Sequence, residues 1–113
     1  MDDFRVSFFC FVALAILLPR LDHAWRVQPK AKEALPEPPM SYARRFFYDA
    51  LVFDPLAIRF LVDRYGSSQI VVGSDYPFNM GDTDPVGTLD AAGLDAGAMR
   101  AITATNALRF LGL

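Results

Sequence analysis

Among 113 residues there is one cysteine, Cys10, and one histidine, His23. A single cysteine excludes an internal disulfide, and a single histidine excludes a self-contained histidine-rich metal site. Basic residues are also few, since 11 Lys and Arg against 13 Asp and Glu leave a formal net charge of -2 and a pI near 5.2. Nucleic acid and anionic membranes are recognised by clustered Lys and Arg, so neither is expected as a partner. No Cys-x-x-Cys, Gly-x-Gly-x-x-Gly, Walker loop or Gly-x-Ser-x-Gly motif occurs, and no internal repeat is found. A chain of this length forms one domain at most, burying about 65% of its unfolded surface.

Long hydrophobic runs are missing as well. The longest, Phe8 to Leu18, has 11 residues, where a bilayer-spanning helix needs about 20. Its length suits a signal-peptide core, but Met1-Asp2-Asp3-Phe4-Arg5 carries more acid than base, and no small-x-small cleavage site follows the run before Pro19-Arg20. We expect a buried or partner-facing helix running on to Val27 and a cytoplasmic chain. Secretion or membrane tethering is the alternative and rests on this run alone.

What is present is organised around Gln69-Ile70-Val71-Val72-Gly73-Ser74-Asp75-Tyr76-Pro77-Phe78. The β-branched run reads as a buried strand, stopped by a glycine, a carboxylate and a proline. Ligands in α/β folds bind beyond the carboxyl ends of parallel strands, which is where Asp75 stands. The alternative is that Asp75 is a helix cap or turn residue. Upstream, Phe46-Phe47-Tyr48-Asp49 reads as a second strand, with Asp49 as a capping or supporting carboxylate. Asp54-Pro55 then opens a helix whose Leu56, Phe60, Leu61 and Tyr65 are expected to face the sheet, with Gly66 as its stop. Strand, helix and strand make a βαβ unit with parallel strands.

The remaining segments are read more simply. Gln28 to Met40 holds four prolines and reads as a surface loop, followed by a short helix over Ser41 to Arg45. His23 is either an acid/base group or a partly buried histidine with one backbone partner. Asp84-Pro85 starts a helix to Ala92, while Asp82 and Asp84 read as loop and cap acids because the later ligands of a calcium loop are missing. Two closing helices are expected, with Asp95 and Asn106 as their N-caps.

Taken together, Gly73 to Phe78, Gly81-Asp82, Arg20-Leu21-Asp22-His23-Ala24-Trp25, Phe47 to Pro55 and Asn106-Ala107-Leu108-Arg109-Phe110-Leu111-Gly112-Leu113 resemble the C-terminal part of the amidohydrolase-related family. The nearest resemblance is to its aminocarboxymuconate-semialdehyde decarboxylase branch. It covers Pro19 to Leu113, with residues 1–18 as an apolar segment outside the match. The resemblance implies a (β/α)8 TIM barrel, which needs about 250 residues. The expected fold is therefore α/β and partial, the last two βα units behind a long N-terminal apolar helix, with open strand edges.

The resemblance also implies metal-dependent hydrolase or carboxy-lyase (decarboxylase) chemistry on a small carboxylic acid, with zinc or another divalent metal. Asp75 matches a metal ligand. Arg20 matches an arginine that reaches into a neighbouring subunit to hold a substrate carboxylate, or else it is a solvated helix charge. The second arginine of that clamp would fall at Gln28, and the family's catalytic histidine near Phe9; neither is present. One carboxylate does not hold a catalytic zinc. We therefore expect these residues alone to bind no metal and to be inactive. Either other polypeptide completes the site, or the chain is a non-catalytic remnant that pairs with a full-length paralogue, or with itself as a homo-oligomer.

Overall fold

The structure, a computed structural model, describes residues 12–113. Residues 8–11 of the expected apolar helix lie outside the described residues. Helix α1 spans Val12–Val27 with Pro19 inside it. It does reach Val27, but it is not a long apolar helix: Arg20, Asp22, His23 and Arg26 make its second half polar. Ala15 and Leu18 are buried, and Asp22 and Trp25 continue the same stripe at helical spacing. The Asp22 carboxylate accepts from the Met40 N–H at 2.9 Å, and the Trp25 indole donates to the Leu35 carbonyl at 2.8 Å.

Those two bonds fold the next segment back onto α1, and that segment is not the loop its prolines suggested. It contains helices α2 (Pro29–Ala34) and α3 (Pro39–Ala43), each with proline at its start. Proline is tolerated there because the first turn has no carbonyl for its N–H to meet. Two of the four prolines thus open helices, and α3 ends before the expected Arg45.

Strand β1 (Tyr48–Asp49), helix α4 (Pro55–Tyr65) and strand β2 (Ile70–Val71) form the expected βαβ unit. The strands are parallel, with Tyr48 opposite Ile70 and Asp49 opposite Val71. Asp54 caps α4 by accepting from the Leu56 N–H at 3.0 Å, and Gly66 ends it at φ +83°. The buried face differs from the one expected. Ile58 and Leu61 are 1% and 3% exposed, whereas Leu56 is 80% exposed. Ile58, Leu61, Val62 and Tyr65 follow the i, i+3, i+4, i+7 stripe and meet the core; Leu56 and Phe60 fall off it.

Helix α5 (Pro85–Ala91) is capped by Asp84. Helix α6 (Ala96–Arg100), capped by Asp95, continues through a π-helical turn (Ala101–Thr105) into α7 (Asn106–Leu111). The two closing helices are therefore one continuous rod, and Asn106 is not an N-cap. It is buried, and its amide Nδ2 donates to the carbonyls of Ile70 at 2.6 Å and Ser67 at 2.5 Å. One turn earlier, the Ile102 carbonyl accepts from the Val72 N–H at 3.0 Å. The wider π turn and the buried amide together occupy the outer edge of β2, an edge expected to be open. No strand lies beside the other edge, that of β1, among the described residues, and no closed barrel is formed by them. Leu18, Ile58, Leu61, Ile70, Leu89 and Ile102 make the core between sheet and helices, each contributing about 1.5–3 kcal/mol when fully buried.

Candidate functional site

At the carboxyl ends of the two strands the chain leaves the sheet through Val72, Gly73 and Ser74. Gly73 lies beside Asp49, since a Cβ added to it would stand 3.5 Å from the Asp49 Cβ. The two strand-end acids thus share one end of the sheet. Asp49 is half-buried and committed to its own turn, its Oδ1 accepting from the Leu51 N–H at 3.0 Å. Asp75 differs in both respects. It is exposed, and no hydrogen bond or ion pair engages its carboxylate among the described residues.

Asp75 also sits at φ +59°, in the left-handed region that costs a non-glycine residue about 1 kcal/mol or more. The loop it opens holds it there. The Asp75 carbonyl accepts from Phe78 at 3.0 Å, the Phe78 carbonyl from Gly81 at 2.9 Å, and the Ser74 carbonyl from Asp82 at 2.7 Å. A Cβ on Gly81 would stand 2.6 Å from the Ser74 oxygen, so only glycine closes the loop this tightly. The Tyr76-Pro77 peptide is cis.

Asp82 and Asp84 serve this loop and the helix after it. Asp82 accepts from the Asp84 N–H at 2.8 Å through one oxygen and from the Thr88 hydroxyl at 2.7 Å through the other. Asp84 accepts from the Gly87 N–H at 3.1 Å. The cap and loop reading of these acids holds. The loop borders a wide depression of about 630 Å³ lined by Ser74, Tyr76, Phe78, Asn79 and Asp82 among others, with Tyr76, Phe78 and Met80 largely in solvent.

The other candidates stand elsewhere. Arg20 and His23 are exposed on α1, which packs on α2, α3 and α4. His23 falls one position off the buried stripe, so it is not the partly buried histidine expected. A catalytic zinc requires three protein ligands and an open position. No group of three His, Cys, Asp or Glu residues comes together among the described residues, so the donor set around Asp75 does not fit such an ion. What this end of the sheet offers, among the described residues, is one free carboxylate, presented by a hydrogen-bonded loop beside the exposed Tyr76 and Phe78. Thr88 was not singled out by sequence, Gly81 was named only within the resemblance, and Asn106 was read as an N-cap and not as a buried amide.

Residues 11–113 match the amidohydrolase family profile. The chain is 31% identical over 96 residues to a 2-amino-3-carboxymuconate-6-semialdehyde decarboxylase from Dictyostelium discoideum, covering 83% of this chain and 27% of that protein. It is 36% identical over 70 residues to a protein of the same name from Caenorhabditis elegans, covering 58% of this chain and 16% of that one. A crystal structure of an amidohydrolase from Mycobacterium avium subsp. paratuberculosis superposes with a TM-score of 0.68 at 28% identity, over 88% of this chain and 25% of that one. The chain therefore spans about a quarter or less of the length of the relatives it matches.

Proposed function

This chain belongs to the amidohydrolase family, in the branch similar to the 2-amino-3-carboxymuconate-6-semialdehyde decarboxylases, and from that membership we propose that it carries the last two βα units of a metal-dependent decarboxylase or hydrolase site. Its part in that site is to present Asp75 as one metal ligand. The observation that carries this reading is the free, exposed Asp75 carboxylate at the carboxyl end of a parallel strand pair, fixed in a left-handed conformation by its loop. The substrate is a small carboxylic acid, and Arg20 is the candidate to grip its carboxylate across a subunit boundary. Because the described residues supply too few ligands for zinc, they form an incomplete site on their own.

The test is complementation. The chain is mixed with the complementary N-terminal part of the Dictyostelium relative, with and without zinc, and carbon dioxide release from the relative's substrate is followed. Metal-dependent release that Asp75→Ala abolishes is expected from the mixture, and none from the chain alone. Equal release with Asp75→Ala refutes the assignment of Asp75. Stoichiometric zinc on the chain alone, after washing with chelator, refutes the incompleteness. A second reading, a non-catalytic remnant that associates with a full-length paralogue, is favoured by the outer edge of β1, where no strand lies among the described residues. It predicts co-purification without any gain in release.

A further inference from the structure

A cavity of about 100 Å³ lies between α1, α3, α4 and the amino-terminal ends of the strands. Leu18, Met40, Leu61 and Ile70 form its walls, and Arg44 stands at its rim. It is remote in the fold from Asp75, which leaves the opposite ends of the strands. Most of the polar side chains around it are already committed, the exposed Ser68 hydroxyl apart. The Tyr48 hydroxyl donates to the Ala43 carbonyl and the Tyr65 hydroxyl to the Ala15 carbonyl. The Gln69 amide gives its nitrogen to the Phe46 carbonyl at 2.8 Å and takes a bond from Arg109 at 3.0 Å through its oxygen. A buried water needs two to four polar partners, and these walls have few to spare.

The charge at the rim is a second exception. Arg45, the next residue, pairs with Glu37 at 3.0 Å and lies over the Tyr42 ring. Arg44 is exposed and makes no ion pair or hydrogen bond through its guanidinium among the described residues. Gly66 and Ser68, also lining the cavity, are exposed like Arg44, so this side of it meets solvent. An apolar hollow with one unpaired guanidinium at its mouth matches a ligand with a short alkyl tail and a single carboxylate, which a planar fork binds with two parallel hydrogen bonds. An apolar void of about 150 Å³ holds benzene, so this smaller one suits a tail of about three carbons.

We propose that the α1–α3–α4 cavity is a binding site for short-chain monocarboxylates such as butyrate, with Arg44 holding the carboxylate. It is a second ligand site, independent of Asp75. The experiment is a methyl NMR titration of the 113-residue chain with sodium butyrate, butanol, butylammonium and inorganic phosphate at constant ionic strength. Butyrate is expected to shift the Met40, Leu61 and Ile70 methyls with a millimolar Kd. Butanol should bind about tenfold more weakly, in line with the loss of one charge-assisted contact, and butylammonium and phosphate should leave these methyls unmoved. Arg44→Gln, a change at an exposed position, should bring butyrate down to the level of butanol. The proposal is overturned if butyrate does not saturate these methyls, if butylammonium binds equally well, or if Arg44→Gln leaves the butyrate titration unchanged.

Discussion

Replacing Asn106 by alanine isolates the contact that closes the outer edge of β2. Asn106 is 2% exposed, and its Nδ2 carries the only side-chain donors that reach the Ile70 and Ser67 carbonyls among the described residues. Removing it leaves the buried Ile70 oxygen without that partner, at a cost of about 1–3 kcal/mol. The half-buried Ser67 oxygen regains water and costs less, so the expected destabilisation is about 2–4 kcal/mol. Typical domains have only about 5–15 kcal/mol of net stability, so this is a large fraction of the whole. With a urea m-value of about 2 kcal/mol/M for a chain this size, the midpoint should fall by about 1–2 M. Hydrogen exchange supplies the local readout. The Val72 N–H, which bonds the Ile102 carbonyl one turn away, should lose protection more than amides of α4. Asn106→Asp should be worse still, because it sets a carboxylate against two carbonyl oxygens. A change below about 0.5 kcal/mol for Asn106→Ala, within the range of ordinary surface substitutions, would refute the claim that this amide closes the edge.

Three further outcomes are expected. Leu61→Ala should cost about 2–4 kcal/mol in urea unfolding, as buried leucines do, while Leu56→Ala should stay within about 0.5 kcal/mol; equal losses would restore the face expected from sequence. Burial, with Tyr65 adding to it, pushes the Tyr48 phenol well above its ordinary value of 10.0. Stability from this group is complete below that pH and falls above it by up to about 1.4 kcal/mol per pH unit, because only the unfolded chain ionises there; Tyr48→Phe should flatten that slope in unfolding measured between neutral and alkaline pH. Gly81→Ala forces a methyl against the Ser74 carbonyl and should displace the Asp75 loop, seen as shifted amide resonances over residues 74–82, with those of α4 unchanged.

What the sequence disclosed and what it hid divide along contact distance. Asp54, Asp84 and Asp95 were legible as helix caps because each carboxylate meets an N–H two or three residues on, so the whole interaction lies within one short string. The parallel pairing was legible because one helix separates two apolar runs and leaves a crossover as the simple path. Asp75 was legible as a strand-end carboxylate, but its left-handed backbone was not, since that depends on Gly81 and Asp82 closing the loop behind it. Asn106 was misread for the opposite reason to the caps. Its partners lie 36 and 39 residues away, and an asparagine after a threonine looks locally like a helix start. Pro29 and Pro39 were misread because a proline-rich string is ambiguous until tertiary bonds from Asp22 and Trp25 choose among its turns.

The two edges of the small sheet therefore differ in a way that bears on assembly. Along β2 the outward-facing groups are met from within the chain, Ile70 by Asn106 and Val72 by Ile102, so a strand arriving there would have to displace a buried amide and a helical carbonyl. Along β1 the inner side is bonded to β2, as Tyr48 to Gln69 and Ala50 to Val71, and no strand meets the outer side among the described residues. Addition of a strand to this sheet is thus opposed at β2. Asp75 follows the strand whose outer side is braced in this way, four residues beyond its last residue, Val71.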